Sequence, residues 1–303
     1  MAEHELYFAD EKALRSYKVR KVIRNVLSYG FLTIFAIFML IPFWFMIMTS
    51  LKSEIAYQNE QIAGILRLIP DRVVWDNYAS IFGTSGNFGQ YFLNTFIVAT
   101  LSTAFTVVTT VFASFAFARL DFKGKDFIFT ILLATMMVPG EMMLITNYQT
   151  AMSLGWKDTY QALILVHGVS VFYIFYLRQT FQQIPNELYL AAKVDGYGEF
   201  NYLFKVMLPI GSPTIVTIII LGVMGAWNAF IWPNLVASGT NPVFGNSMRL
   251  VSNGLMSLFT SEFSSRDTVK IAGSVVVTLP LFIFFLIFRK YIMRGVSRSG
   301  IKG

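Results

Sequence analysis

"ELYLAAKVDGYGEFNYLFKVMLPIGSPTI", residues 187–215, is polar, helical in pattern and punctuated by Gly and Pro, yet it stands between two long apolar segments. Residues 159–177 before it hold His167 but no Asp, Glu, Lys or Arg, and residues 206–237 carry no charge at all. Four more runs of this kind lie outward along the chain. Residues 26–49, 90–117 and 271–288 are uncharged, and residues 127–145 are interrupted only by Glu141. A helix needs about 20 mostly apolar residues to cross a bilayer. Backbone N–H and C=O groups find no water there, so an isolated span must be helical. Six such runs predict an all-α integral membrane protein with six transmembrane helices.

Composition agrees. Of 303 residues, 55% are hydrophobic and 14% charged, against about 25% charged in soluble domains. There is no Cys, which excludes disulfides and Cys-based metal sites. With only His4 and His167, a His-rich metal site is excluded as well. The first apolar run is longer than a signal-peptide core and reads as a retained helix. Lys and Arg number 17 in the N-tail, the second-to-third and fourth-to-fifth loops and the C-tail, against 7 in the other loops. Positive loops face the cytoplasm, so both termini and the 187–215 insert are expected there. This asymmetry accounts for the net charge of +7 without a nucleic-acid partner; the partner it does imply is membrane lipid.

The chain divides into a cytoplasmic N-tail (1–25), a first transmembrane helix with its outer loop (26–90), a core of five transmembrane helices (91–290) and a cytoplasmic C-tail (291–303). Within the outer loop, "IPDRVVWDNYASIF" predicts a short surface helix. Within the core, the insert spans 185–213. Asn186 reads as an N-cap with Glu187 in the first turn. Leu188, Ala191, Ala192 and Asp195 share one face by the i, i+3, i+4, i+7 rule. Gly196 suits a left-handed C-cap. A second short helix is expected over 199–207, with Pro209 and Pro213 punctuating the entry to the fifth span. A helix–turn–helix so built is either a solvated connector or a docking element, and composition alone leaves both open.

The spacing Ala191-Ala192, three residues, Gly196, nine residues, Val206, one residue, Leu208-Pro209 resembles the "EAA" loop of the membrane subunits of ATP-binding-cassette importers. "IPNELYLAAKVDG", "GAWNAFIWPNLV" and the ending "GIKG" are similar to segments of the carbohydrate-uptake branch, the MalG-type maltose permeases. The likeness runs from about Tyr91 to the end. Leu190 stands where the motif has Glu, Tyr197 follows Gly196 where Ala is common, and Ala229 replaces an Asp.

The resemblance implies the type I importer permease fold and a subunit of a bacterial inner-membrane importer for a sugar. Its implied partners are a second homologous permease, two ATPase subunits and an extracellular solute-binding protein. No cofactor is implied in this chain, since ATP and Mg belong to the ATPases. Glu187, Leu190, Ala191, Ala192, Asp195, Gly196 and Pro209 are the implied ATPase-coupling residues. No catalytic residue is expected: the chain holds no G-x-x-x-x-G-K-[ST], H-E-x-x-H or G-x-S-x-G.

Asn94, His167, Trp227 and Asn228 are candidates for the translocation path. Polar groups at membrane depth face a bundle interior or a cavity, although helix–helix hydrogen bonding places them equally well. Trp227 and Trp232 either stack on a sugar ring or anchor at the interface. Glu141 is expected at the outer membrane surface. The alternative class, a secondary transporter or channel without ATPases, typically carries several intramembrane charges or broken-helix repeats. One His and one marginal Glu argue against it.

Overall fold

A computed structural model of the chain describes residues 11–65, 67–83, 87–260, 263 and 265–297. It is helical, with two compact units, Met1–Asn77 and Tyr78–Gly303. The end of the expected C-tail, residues 298–303, lies outside the described residues, as do residues 1–10 of the N-tail.

In the first unit α1 runs from Glu11 to Ser50, beginning well ahead of the apolar run expected as the first span. Its 40 residues rise about 60 Å, twice the hydrocarbon thickness. Most of its described apolar side chains are exposed, Phe31 and Phe38 at 69%. Ser53 caps α2 (Glu54–Ala63) and accepts from the Ala56 N–H, and Gly64 closes it in the left-handed region. Lys52, 2% exposed, donates from Nζ to Glu60 Oε2 at 2.5 Å and to the Arg67 carbonyl at 2.7 Å. Asn77 donates to the Ser50 and Lys52 carbonyls, both at 2.8 Å. The stretch after α1 is therefore built around a buried ammonium with its partners in place. The expected surface helix is α3, Asp76–Phe82.

In the second unit α4 (Phe88–Arg119) is the central post, packed against α8 (Val171–Gln182) and α11 (Leu208–Asn228). The last helix, α14 (Asp267–Ser297), packs on α11. Of the four apolar clusters that include residues of the post, three are large. One joins Phe115, Leu177, Phe181, Tyr202 and Met207. The next joins Val98, Leu163, Trp232 and Leu250. The third joins Phe88, Tyr91, Val251 and Val269.

Two expected spans are not single helices. Over 127–145, α5 (Lys125–Thr135) and α6 (Leu144–Ser153) meet at 87°. Pro139, which has no N–H, and Gly140 begin a single 3-10 turn between them, Gly140–Met143. Over 159–177, a short α7 (Tyr160–Ile164) and α8 are separated by residues 165–170. Among the described residues, four helices are long and apolar enough to cross a membrane, five if the bent pair is one span. The all-α membrane fold is as expected, and the count of six transmembrane helices is not confirmed among the described residues.

Candidate functional site

The insert folds as two helices around one turn. α9 (Asn186–Val194) starts with Pro185 as its N-cap, so Asn186 is its first residue rather than its cap. Gly196 lies at φ +77°. The Gly196 N–H donates to the Lys193 carbonyl at 3.0 Å and the Tyr197 N–H to the Ala192 carbonyl at 2.8 Å. This paired closure needs a left-handed residue, which Gly adopts without strain.

α10 (Glu199–Tyr202) comes next and does not stop at Pro209. A π-helical turn, Leu203–Met207, carries it into α11, and this wider turn lies just before Pro209, which has no N–H to donate back along the helix. Glu199–Asn228 is thus one helical rod of 30 residues. Glu199 Oε1 ties α9 to that rod, accepting from Tyr189 Oη at 2.8 Å and Lys193 Nζ at 2.6 Å. This hydrogen bond with the Glu199 carboxylate raises the Lys193 pKa, and the bond from Tyr189 to Glu199 raises the tyrosine's. The Tyr189 ring packs edge-on to Tyr202 at 5.0 Å.

Most of α9 faces outward: Glu187, Leu188, Leu190, Ala191, Val194 and Asp195 are exposed, Val194 at 88%. Ala192 departs from the expected shared face. It is 5% exposed and packs with Phe181, Ile184 and Tyr202. Its neighbour Ala191 points away, because adjacent residues on a helix lie about 100° apart.

At the other end of the rod lies a cavity of about 280 Å³. Its walls are α4 (Val98, Ser102, Thr103, Thr106), the 165–170 break with the start of α8 (His167, Ser170, Tyr173), α11 (Leu221, Gly222, Gly225, Ala226) and Trp232 of α12 (Ile231–Val236). The break is specified by its neighbours. Gly168 has no side chain, and a Cβ there would sit 2.1 Å from Phe105 Cδ1. Thr109 Oγ1 donates to the Gly168 carbonyl at 2.9 Å. Ser170 caps α8, accepting from the Tyr173 N–H at 3.3 Å. Irregular backbone at membrane depth is tolerated where protein groups satisfy it or where it lines a cavity; both conditions hold here.

The four path candidates separate. His167 lines the cavity, its ring edge-on to Trp232 at 5.3 Å. Asn94 is fully buried elsewhere. Its Nδ2 donates to the Ser247 and Arg249 carbonyls at 2.6 and 2.9 Å, and its Oδ1 accepts from Gln90 and Tyr160. It staples α4 to the loop before α13 (Val251–Thr260). Trp227 packs on Phe92 and donates to the Val277 carbonyl at 3.2 Å, and Asn228 donates to Met224 of its own helix. Neither lines the cavity. Glu141 is exposed. Sequence reasoning did not single out Thr103, Ser170 or Gly222. The run "HGVS" held the readable signal, a Gly two residues before a Ser able to cap a new helix.

Residues 109–298 match the family described as binding-protein-dependent transport system inner membrane component. The arabinooligosaccharides transport system permease protein AraQ of Bacillus subtilis (strain 168) is 31% identical over 284 residues, 93% of this chain and 97% of that protein. Its namesake in Halalkalibacterium halodurans is 29% identical over 277 residues, 91% and 95% of the two chains. A crystal structure of a bacterial ABC transporter that imports the acidic polysaccharide alginate superposes with a TM-score of 0.74 at 22% identity, covering 91% of this chain and 98% of that one.

Proposed function

The chain belongs to the family of binding-protein-dependent transport system inner membrane components, and from that premise we propose that it is one permease subunit of an ATP-driven carbohydrate importer. The sugar class rests on its likeness to arabinooligosaccharide permeases. In this reading a second permease completes the path, two ATPase subunits bind ATP and Mg, and an extracellular binding protein delivers the sugar. Both termini and α9 lie in the cytoplasm, as the Lys and Arg asymmetry favours.

One observation carries the coupling role. A single helical rod, Glu199–Asn228, has the exposed α9 knob hydrogen-bonded to its first residue and a cavity wall, Leu221 to Ala226, near its last. Displacement of α9 by an ATPase closing on ATP moves the rod as a body. The cavity wall moves with it, and access alternates by rocking rather than by local refolding. Glu187, Leu190, Ala191, Asp195 and Gly196 form the docking side. Ala192 acts from behind, seating α9 on Phe181 and Tyr202. Pro209 lies within the rod rather than on the docking face. Leu190, exposed and apolar where the family motif has Glu, supplies an apolar contact.

Purification of the tagged chain from its native membrane tests the assignment: an ATPase subunit copurifies with the wild type. Leu190→Asp loses most of it, while Leu190→Met retains it. Equal recovery with both variants would remove Leu190 from the interface, and absence of any ATPase would overturn the importer reading.

A further inference from the structure

Three buried polar atoms where α4, α8 and the insert meet have no hydrogen-bond partner among the described residues: Arg119 Nε, Tyr202 Oη and Glu199 Oε2. Buried polar atoms are nearly always paired, because an unpaired one bears its whole desolvation penalty. Arg119 is the last residue of the α4 post. Its Nη2 donates to the Phe181 carbonyl at 3.1 Å and to the Ile184 carbonyl. These oxygens lie at the end of α8, where a helix leaves carbonyls free and favours a cation. Ile184 directly precedes Pro185, the N-cap of α9. One guanidinium nitrogen therefore fixes the α8–α9 corner to the post, and the Nε–H is left over. Tyr202 is 0% exposed and packs with Phe181, Ile184 and Ala192 in the same cluster. Its hydroxyl lies within electrostatic reach of both Arg119 and Glu199. Glu199 and Tyr202 are three residues apart on the rod and share a face.

The three atoms are complementary. The Nε–H of Arg only donates, a Tyr hydroxyl donates and accepts, and a carboxylate oxygen only accepts. One chain satisfies them all: Arg119 Nε–H donates to Tyr202 Oη, and Tyr202 Oη–H donates to Glu199 Oε2. Glu199 stands between two sets of donors. Its Oε1 is taken by Tyr189 and Lys193 of α9, and its Oε2 is left for the post side. The α9 side is made in this structure and the post side is not.

We propose that Arg119, Tyr202 and Glu199 are positioning residues of the coupling step: a relay that closes when the rod is driven and holds the base of the rod against the post in that state. The proposal rests on the coupling reading above and adds the contact that tells the driven state from the undriven one. Displacement of α9 carries Glu199 with it through Oε1. Closing the relay then satisfies all three atoms at once, with a charged group at each end of the chain. An equilibrium shifts only by interactions that differ between its two states, and this relay is such a difference.

The test uses the assembled importer, reconstituted in lipid nanodiscs with its partner subunits. Melting temperatures are read for the nucleotide-free complex and for the complex trapped with ATP, Mg and vanadate. Tyr202→Phe removes the hydroxyl alone. The nucleotide-free variant should melt at or slightly above wild type, because an unpaired buried oxygen has gone. The trapped variant should melt about 2–4 °C below wild type. Glu199→Gln keeps an oxygen for Tyr189 and Lys193 and puts an amide donor in place of Oε2, so it should lower the trapped state by a similar amount. The double variant should melt in the trapped state no lower than the worse single variant, since groups in one chain are not additive. An equal fall in both states for Tyr202→Phe would make its hydroxyl purely structural, and additive falls in the trapped state would make the two groups independent. Either result overturns the relay, as would wild-type melting of both trapped single variants. In each of these outcomes the wild-type complex still binds and hydrolyses ATP, and the importer reading stands. A wild-type chain that assembles with no ATPase overturns the importer reading and the relay with it.

Discussion

The 185–213 insert and the 159–182 segment are both helix–break–helix units with Gly in the break, yet they solve opposite problems. In the insert the turn is in the open: nothing lies within 4 Å of where a Gly196 Cβ would be, and its backbone bonds close locally. In the 159–182 segment the break is packed. Gly168 is there for Phe105, its carbonyl is held by Thr109 of another helix, and Ser170 restarts the chain. A break in water is a local matter, whereas a break at membrane depth must be completed by neighbours.

The difference can be broken from the packed side first. Gly168→Val drives a branched side chain into the Phe105 ring and toward the Leu165 carbonyl. It should cost about 3 kcal/mol, the upper range for overpacking, read as a fall in melting temperature of the purified protein. Phe105→Ala in the same chain should recover a large part of that loss, giving a coupling energy of the kind neighbours show. Additive losses would mean that the ring is not what requires Gly168. Thr109→Val leaves the buried Gly168 carbonyl without its side-chain donor. It should cost about 1–2 kcal/mol, with Thr109→Ser close to wild type. An equal cost for both would assign Thr109 to packing instead.

The open side should respond least. Lys193→Met removes one of two donors to Glu199 at an exposed position, where such pairs contribute little. The melting temperature should stay within scatter. Because the Lys193 pKa is raised by its Glu199 bond, its contribution is complete below the ordinary lysine value of about 10.4 and is lost only as pH rises beyond it. Titration over about pH 6 to 9 should therefore leave wild type and Lys193→Met parallel. Divergence in that window would point to a different group.

The same contrast explains what the sequence made legible. Helical class, membrane location and the Gly196 turn were readable because hydropathy and a left-handed C-cap are local properties. The two broken spans were not, because residues 127–145 and 159–177 are as apolar as continuous helices. Their punctuation, Pro139-Gly140 and "HGVS", is short. Path residues were harder still. Asn94, Trp227 and Asn228 are polar or aromatic side chains at plausible depth, and only tertiary contacts show Asn94 spent on two carbonyls, Trp227 on Val277 and Asn228 on its own helix. Conversely, Thr103 is one threonine among several on α4, and its place in the cavity wall follows only from tertiary packing.

If α9 and its turn drive the Glu199–Asn228 rod, the turn's shape must matter to transport. Sugar uptake into vesicles by the assembled importer carrying Gly196→Val tests this most directly, with the amount of chain in the membrane matched to wild type. At φ +77° a β-branched residue costs about 1–2 kcal/mol of backbone strain. With no atom near enough to be trimmed in compensation, the turn must change shape and α9 must tilt on the rod. Uptake should be largely lost while the protein still inserts; uptake at the wild-type rate would contradict the coupling role.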